Sequence, residues 1–190
     1  MGQTTSRIEH ARTKHKSKPR SSKSIEEKKI KLAQTTGVLA LTDSKLKEIP
    51  ISIISNGDLQ EKLRSLDLSR NQITRVPTEM NTVRFSNMKS LKLQSNAIHS
   101  LPDLSQLMAL TKVVSVRQNK ITGSREPQAI AEQILAHSNI DILNLDGNAI
   151  TKLQLEAMNG ISQFMERRKE LKDKGILAGI SADMSLCGLD

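Results

Sequence analysis

Four segments of the chain share one order of aliphatic and polar positions, which closes on an asparagine and an isoleucine. They read LRSLDLSRNQI (63–73), MKSLKLQSNAI (88–98), TKVVSVRQNKI (111–121) and IDILNLDGNAI (140–150), and TGVLALTDSKL (36–46) fits with Ser44 in place of the asparagine. Each follows the form L-x-x-L-x-L-x-x-N-x-I, and equivalent positions lie 27, 25, 23 and 29 residues apart. This pattern, at a period of about 20–29 residues, is typical of the leucine-rich repeat.

The central L-x-L of each segment predicts a short strand, because alternate side chains of a strand point to opposite faces. Leu66 and Leu68 would then turn inward, and stacked copies would form a parallel sheet on a concave side. We therefore predict an α/β fold, a right-handed leucine-rich-repeat solenoid of five repeats with a helical cap at each end. The predicted organisation is a disordered basic acylated arm (1–23), a capping helix (24–36), the solenoid (37–151), a second capping helix (152–174) and a flexible tail (175–190).

One asparagine per repeat follows the strand, where the chain turns away from the sheet. The row consists of Asn71, Asn96, Asn119 and Asn148. A buried amide at such a turn can hydrogen-bond backbone groups that would otherwise stay unpaired. We interpret the row as a structural ladder and not as an active site.

Local signals place the helices. The segment SIEE (24–27) has the form of a capping box and predicts a helix from Ile25 to about Gln34 that ends at Gly37. At the other end, residues 153–175 show apolar positions at helical spacing across Gly160. A stack of repeats exposes an apolar face at each end, so we interpret both helices as caps.

A further helix is predicted on the convex side over SREPQAIAEQILAH (124–137), with Ser124 as its cap and Pro127 near its start. It would lengthen one repeat.

Composition narrows the class of protein. The chain has 36% hydrophobic residues but two Phe, no Trp and no Tyr, which suits layers of aliphatic side chains. The single cysteine, Cys187, cannot form an internal disulfide, which favours a reducing compartment. Four scattered histidines, no glycine-rich phosphate loop and no cluster at ligand spacing predict no enzyme, no metal site and no cofactor.

The net charge of +9 is concentrated at the N-terminus. The arm has one acidic residue, Glu9, against seven basic residues: Arg7, Arg12, Lys14, Lys16, Lys18, Arg20 and Lys23. A segment this basic, with almost no apolar side chains, cannot form a core. We interpret these seven residues as contacts to an anionic membrane.

The first six residues, MGQTTS, match the N-myristoylation pattern M-G-x-x-x-[ST] at Gly2. One myristoyl chain binds a membrane only marginally, with an association constant of roughly 10⁴ M⁻¹. Each basic residue near an anionic leaflet adds about 1 kcal/mol, so the arm supplies the second signal that stable anchoring requires. We expect the protein on the cytoplasmic face of a membrane, with a cytosolic pool.

The concave face offers a surface for a protein partner. The side chains expected to contact it are Asp67, Ser69, Lys92, Gln94, Arg117, Asn144 and Asp146. The predicted function is a non-catalytic, monomeric scaffold tethered to a membrane. The alternative is a soluble adaptor or regulatory subunit whose basic arm contacts RNA or another polyanion. Since the chain lacks a recognised nucleic-acid module and stacking aromatics, we expect no nucleic-acid partner.

The sequence resembles the family of leucine-rich repeat-containing protein 57, small intracellular leucine-rich-repeat proteins. The resemblance covers about residues 30–172 and depends on AQTTGVLALTDSKLKEIP (33–50), SLDLSRNQITRVP (65–77) and LNLDGNAITKLQLEAMNGISQFMERR (143–168). It implies a binding scaffold without a known reaction. Members of that family also begin Met-Gly and look acylated, which the resemblance extends to Gly2.

Overall fold

Five short parallel strands form a single sheet in the order in which they occur in the chain. They are β1 (Val38–Ala40), β2 (Ser65–Asp67), β3 (Ser90–Lys92), β4 (Val113–Ser115) and β5 (Leu143–Asn144). The computed structural model describes residues 22–110, 113–123, 128–173 and 187–189. Each repeat contributes one strand in matching register, for example Leu39 beside Leu66 and Leu66 beside Leu91. The predicted α/β leucine-rich-repeat solenoid is confirmed.

The two inward positions of every repeat build the core. They are occupied by Leu39, Leu41, Leu66, Leu68, Leu91, Leu93, Val114, Val116, Leu143 and Leu145, and none is more than 1% exposed. Equivalent side chains stack along the solenoid because the strands pair in register. Burial of these aliphatic columns is the main stabilising contribution.

The convex side consists of short helical segments of different lengths. They are α2 (Ile51–Ile54), α3 (Gly57–Lys62), two 3₁₀ turns (Thr78–Met80 and Val83–Phe85) and α4 (Glu132–Ala136). Each places at least one apolar side chain against the strands, such as the fully buried Ile53, Leu59 and Phe85. Repeats of unequal length therefore close over one continuous core.

The helix predicted over 124–137 is shorter than expected. Residues 124–127 lie outside the described part of the chain, and α4 begins only at Glu132. The residues before it are extended, because the Leu101 N–H donates to the Ala129 carbonyl at 2.7 Å and the Ala131 N–H donates to the Leu101 carbonyl at 2.9 Å. This bridge to the preceding repeat takes the place of the predicted helix over residues 128–131.

In the first turn Lys45 has a positive φ angle of 56°. In the turn after every strand, a residue one position before the asparagine row also has a positive φ angle. These residues are Asp43 (52°), Arg70 (58°), Ser95 (55°), Gln118 (51°) and Gly147 (70°). Only the last is a glycine. A left-handed conformation is costly for other residue types and persists where surrounding contacts enforce it.

The asparagine side chains provide those contacts. The Asn119 amide donates to the carbonyls of Val116 and Arg117 in its own repeat and to that of Leu93 in the preceding repeat, at 2.9–3.1 Å. Its Oδ1 accepts from the Ile98 N–H at 2.9 Å. Each asparagine thus joins its own turn to the repeat before it.

The same arrangement recurs at Asn71, Asn96 and Asn148. The Asn71 Oδ1 accepts from the N–H groups of both Ser44 and Leu46. The first repeat has no preceding turn to join, which accounts for Ser44 at its equivalent position.

The N-terminal cap is longer than predicted. The helix α1 spans Ser22–Thr36, so Ser24 lies within it and does not cap its start, and Lys23 belongs to the helix and not to the arm. Ile30 and Ala33 are buried against the first repeat. Gly37 ends the helix with φ 70°, and a Cβ there would lie 2.7 Å from the Lys62 carbonyl oxygen.

The C-terminal cap consists of two helices where one was predicted. They are α5 (Lys152–Glu156), which starts with a capping box between Thr151 and Gln154, and α6 (Ile161–Asp173). Between them Gly160 has φ 83° and packs so closely that a Cβ would lie 2.9 Å from the Ala136 nitrogen. The turn at Gly160 allows α6 to pack on α4 and cover the last repeat.

The predicted flexible tail includes three residues that pack on the solenoid. The Leu145 N–H donates to the Cys187 carbonyl at 2.8 Å, next to the open edge of β5. Cys187 and Leu189 are 4% and 8% exposed. Residues 174–186 lie outside the described part of the chain. Residues 187–189, defined here as the edge segment, therefore extend the cap of the last repeat.

The ladder geometry predicts the effect of Asn119→Ala. The substitution leaves buried carbonyl and N–H groups without partners, so we expect the free energy of unfolding to fall by about 2–4 kcal/mol. Urea denaturation followed by far-ultraviolet circular dichroism measures the loss. Asn159→Ala is the control, because that exposed side chain makes no hydrogen bond in the described structure. Equal effects of the two substitutions would contradict the structural role of the ladder.

The edge segment predicts the reactivity of Cys187. Burial raises the pKa of its thiol to about 11, partly offset by Arg168. Gly188→Val should release the segment, because a Cβ at Gly188 would lie 3.0 Å from that of Asp146 and φ is 78°. Lowering the pKa towards the ordinary value of 9.0 increases the thiolate fraction, so we expect alkylation at pH 8 to accelerate on the order of 100-fold.

The chain unfolded in guanidinium gives the reference rate for the free thiol. Because the packed thiol has the higher pKa, packing of the edge segment should be strongest below pH 9 and weaken as the pH rises from 9 to 11. Wild-type Cys187 that reacts as fast as the unfolded chain would show that the segment is not packed.

Candidate binding face

The outward side chains of the sheet form two rows across the repeats. The first row, on the strands, is Ala40, Asp67, Lys92, Ser115 and Asn144, and register pairing places Asp67, Lys92 and Ser115 side by side. The second row follows two residues later: Thr42, Ser69, Gln94, Arg117 and Asp146. All seven predicted contact residues belong to these rows, and we refer to the two rows together as the concave face.

Two of the predicted contact residues pair with each other. The Arg117 guanidinium donates from Nε and Nη2 to the Asp146 Oδ2, at 2.9 and 2.5 Å. Their side chains are 47% and 44% exposed, so the pair lies at the surface. An exposed ion pair contributes little to stability. Arg117 and Asp146 therefore already pair with each other, and a binding partner would have to compete with this ion pair.

Other polar groups of the concave face are held by short-range hydrogen bonds. The Asp67 Oδ1 accepts from the Ser69 N–H at 3.0 Å, and the Asn144 Oδ1 accepts from the Asp146 N–H at 3.1 Å. The Gln94 Oε1 accepts from the Ser115 hydroxyl at 3.3 Å. These contacts fix the orientation of the side chains and leave their outer edges at the surface.

Ser69 was predicted to contact a partner at the surface, but the structure buries it. Only 3% of the residue is exposed, and its hydroxyl is buried without a hydrogen-bond partner. Ser69 is therefore not a surface contact residue in this structure.

Lys92 differs from its neighbours in having no partner. It is exposed in the middle strand of the sheet, and its side-chain ammonium forms neither an ion pair nor a hydrogen bond with any residue in the described ranges. The seven predicted contact residues carry two positive and two negative formal charges, so the face is neutral apart from its local pattern. Lys92 is the charge on this face that is available to an incoming carboxylate or carbonyl.

The row of left-handed residues forms a rim that the sequence analysis did not identify. The Arg70 Nε donates to the Asp43 Oδ2 at 2.8 Å, and Asp43 raises the pKa of the Arg70 guanidinium. Further along, the Ser95 hydroxyl donates to the Gln118 Oε1 at 2.7 Å. The signal was present in the sequence, since opposite charges occupy the position before the asparagine in the first two repeats.

A partly buried ion pair at the C-terminal cap has a structural role. The Arg167 Nε lies 3.9 Å from the Asp141 Oδ1, and burial raises the pKa of Asp141 and lowers that of Arg167. Arg167 also donates to the carbonyls of Ala136 and Ile134 and lies 5.7 Å from the centre of the Phe164 ring. These contacts join α6 to α4.

The described ranges contain neither a metal-binding cluster nor a helix suited to span a membrane. They contain no group of three or more His, Cys, Asp or Glu residues placed to hold a metal ion. Within those ranges, no helix combines the length and the apolar character needed to cross a membrane. Gly2 and the predicted membrane contacts Arg7, Arg12, Lys14, Lys16, Lys18 and Arg20 lie outside the described residues.

Comparisons with known proteins agree with this architecture. A family model described as Leucine Rich Repeat matches residues 62–82. The chain is 38% identical over 69 residues to Plant intracellular Ras-group-related LRR protein 7 of Oryza sativa subsp. japonica, an alignment covering 36% of this chain and 24% of that protein. It is 40% identical over 80 residues to DISP complex protein LRCH3 of Mus musculus, covering 42% of this chain and 10% of that protein.

A solved LRR protein of Leptospira interrogans aligns with a TM-score of 0.43 and 23% sequence identity. That alignment covers 66% of this chain and 36% of the other. The chain spans only a quarter or less of the curated relatives named above.

The repeats and the parallel sheet define the fold as a leucine-rich-repeat solenoid, and the Leucine Rich Repeat family model matches residues 62–82 of it. The comparisons do not distinguish the leucine-rich repeat-containing protein 57 family from other leucine-rich-repeat families. That closer resemblance stays a prediction.

Proposed function

We propose that the protein is a non-catalytic scaffold that binds a protein partner on its concave face and is tethered to a membrane. Proteins built from leucine-rich repeats generally mediate protein–protein interactions, and their concave surface extends over several repeats. The observation that supports this function best is the exposed Lys92 side chain, which has no partner among the described residues and lies at the centre of a face whose other charged groups make hydrogen bonds. A preorganised polar face loses little conformational freedom on binding.

The charge pattern favours a protein over a nucleic acid on this face. Nucleic-acid binding depends mainly on neutralising several phosphates with Lys and Arg. Here Arg117 is already paired with Asp146, and Asp67 lies beside Lys92. We therefore propose that an acidic or carbonyl-rich segment of a protein contacts Lys92, and that any contact to RNA is confined to the N-terminal arm.

The proposed tether is a myristoyl group on Gly2 together with the basic arm. The support is the sequence pattern at Gly2 and the +5 formal charge of residues 1–21, which precede α1, combined with the two-signal requirement for stable anchoring. The proposed location is the cytoplasmic face of a membrane, with a cytosolic pool. The closer resemblance described above supports the same assignment.

Lys92→Glu tests the concave face. A photo-crosslinking residue at Gln94 in the full-length chain, expressed in a eukaryotic cell, should capture a discrete protein adduct. We expect Lys92→Glu to reduce the adduct roughly tenfold, since the reversed charge repels the partner's acidic group. Lys62→Glu, on the convex side, is the matched control and should leave capture unchanged. Capture insensitive to Lys92→Glu would contradict the proposed binding face.

Gly2→Ala tests the tether. Wild type from a eukaryotic cell should carry the mass of one myristoyl group and divide between membrane and cytosol, and the variant should lack both the added mass and most of the membrane pool. Replacing Lys14, Lys16 and Lys18 by Gln should retain the acyl mass but lower the membrane fraction. An unmodified wild type would overturn the proposed tether, and low-salt binding to RNA without vesicle binding would favour the adaptor alternative.

A further inference from the structure

The exposed face of α1 combines apolar and basic side chains. Ile25 and Leu32 are 45% and 63% exposed although both are large and aliphatic. Seven residues separate them, so they lie about 20° apart around the helix and about 10 Å apart along its axis. They form one short apolar strip that the first repeat does not cover.

Lysines flank this strip on both sides. At about 100° per residue, Lys28 lies on one side of the strip and Lys29 on the other, with Lys31 next to Lys28. The buried side of the helix is separate, because Ile30 and Ala33 point into the core at 7% and 0% exposure. The helix therefore presents two apolar faces: one needed for capping, and one in contact with solvent.

The strip continues into a groove beside the first repeat. The groove has a volume of about 350 Å³ and is lined by Ile25, Lys29, Leu41, Lys45 and Leu46, together with the polar Glu26, Asp43 and Ser44. Asp43 is paired with Arg70 and adds no free negative charge. Apart from the ion-paired Asp43, the groove has two lysines against one carboxylate, that of Glu26, around an apolar floor. This combination suits acyl chains below and phosphate groups above.

We propose that α1, besides capping the solenoid, lies against an anionic bilayer, with Ile25 and Leu32 inserted and Lys28 and Lys29 at the headgroups. The proposal rests on the proposed membrane tether and deepens it. The occupant is a lipid surface because the lysines match its charge and because the basic arm directly precedes the helix in the chain. Two aliphatic side chains without an aromatic anchor suit a bilayer better than a protein hot spot.

The absence of Trp and Tyr from the chain makes a direct test possible. Leu32→Trp introduces a single reporter at an exposed helical position, and Leu153→Trp introduces one at the 78% exposed Leu153 of α5. Both are prepared as the full-length myristoylated chain and mixed with phosphatidylcholine vesicles containing phosphatidylserine and brominated lipid. Co-sedimentation with the vesicles measures membrane binding of the whole chain. Tryptophan emission measures whether α1 contacts the lipid.

We expect Leu32→Trp emission to shift to shorter wavelength and to be quenched by brominated lipid, with no change for Leu153→Trp. The double variant Ile25→Gln, Leu32→Gln should bind the vesicles about tenfold more weakly than wild type. The exposed parts of the two side chains together equal roughly one aliphatic side chain, whose transfer from water into lipid would be lost. Ile51→Gln, Leu153→Gln removes two aliphatic residues elsewhere that are more exposed, at 72% and 78%, and should bind like wild type.

Two outcomes would overturn the proposal, and they are distinguishable. Vesicle sedimentation with unquenched Leu32→Trp emission would show that the tether holds while α1 faces away from the lipid. A myristoylated wild type that fails to sediment would overturn the tether and the α1 contact together.

Discussion

The fold depends on the hydrogen bonds that each asparagine makes to the preceding repeat. Without them the left-handed residue at each turn would carry its conformational cost with no compensation, since four of the five are not glycine. The Asn119 amide satisfies groups on two repeats at once, which couples the turn geometry to the stacking distance. The aliphatic columns give most of the stabilisation, but the ladder fixes the register in which they stack. The same register aligns the outward side chains of the concave face in rows.

Register explains both what the sequence predicts and what it does not. The repeat pattern determines the strands, the inward leucines and the outward rows because these follow from alternation and period alone. Ser69 belongs to an outward row by sequence position, yet only 3% of it is exposed. The pairing of Arg117 with Asp146 depends on the contact between neighbouring repeats. Accessibility in a solenoid is therefore decided by the adjacent repeat as much as by the residue's own strand.

The ends of the solenoid are less predictable than its middle, for a related reason. A middle repeat meets near-identical neighbours, whereas each end needs a unique cover. The bridge between Leu101 and Ile130 shortens α4, and the close approach of Gly160 to α4 divides the C-terminal cap into two helices. The edge segment packs beside β5 through one backbone hydrogen bond from Leu145 to Cys187. None of these contacts has a periodic signal, because each joins segments that occur once in the chain.

The two proposed surfaces use different parts of the molecule, and this separation is consistent with a tethered scaffold. Lys92 lies in the middle strand, whereas Ile25 and Leu32 lie on the first helix, outside the buried side that caps the core. A bilayer in contact with α1 would approach the solenoid from its N-terminal end and leave the strand rows open. The basic arm directly precedes this helix in the sequence, so the proposed acyl group would act at the same end of the molecule as α1. Capping requires apolar side chains on the side of α1 that faces the core, and the proposed anchoring requires them on the side that faces solvent. The helix has both, with Ile30 and Ala33 buried and Ile25 and Leu32 exposed.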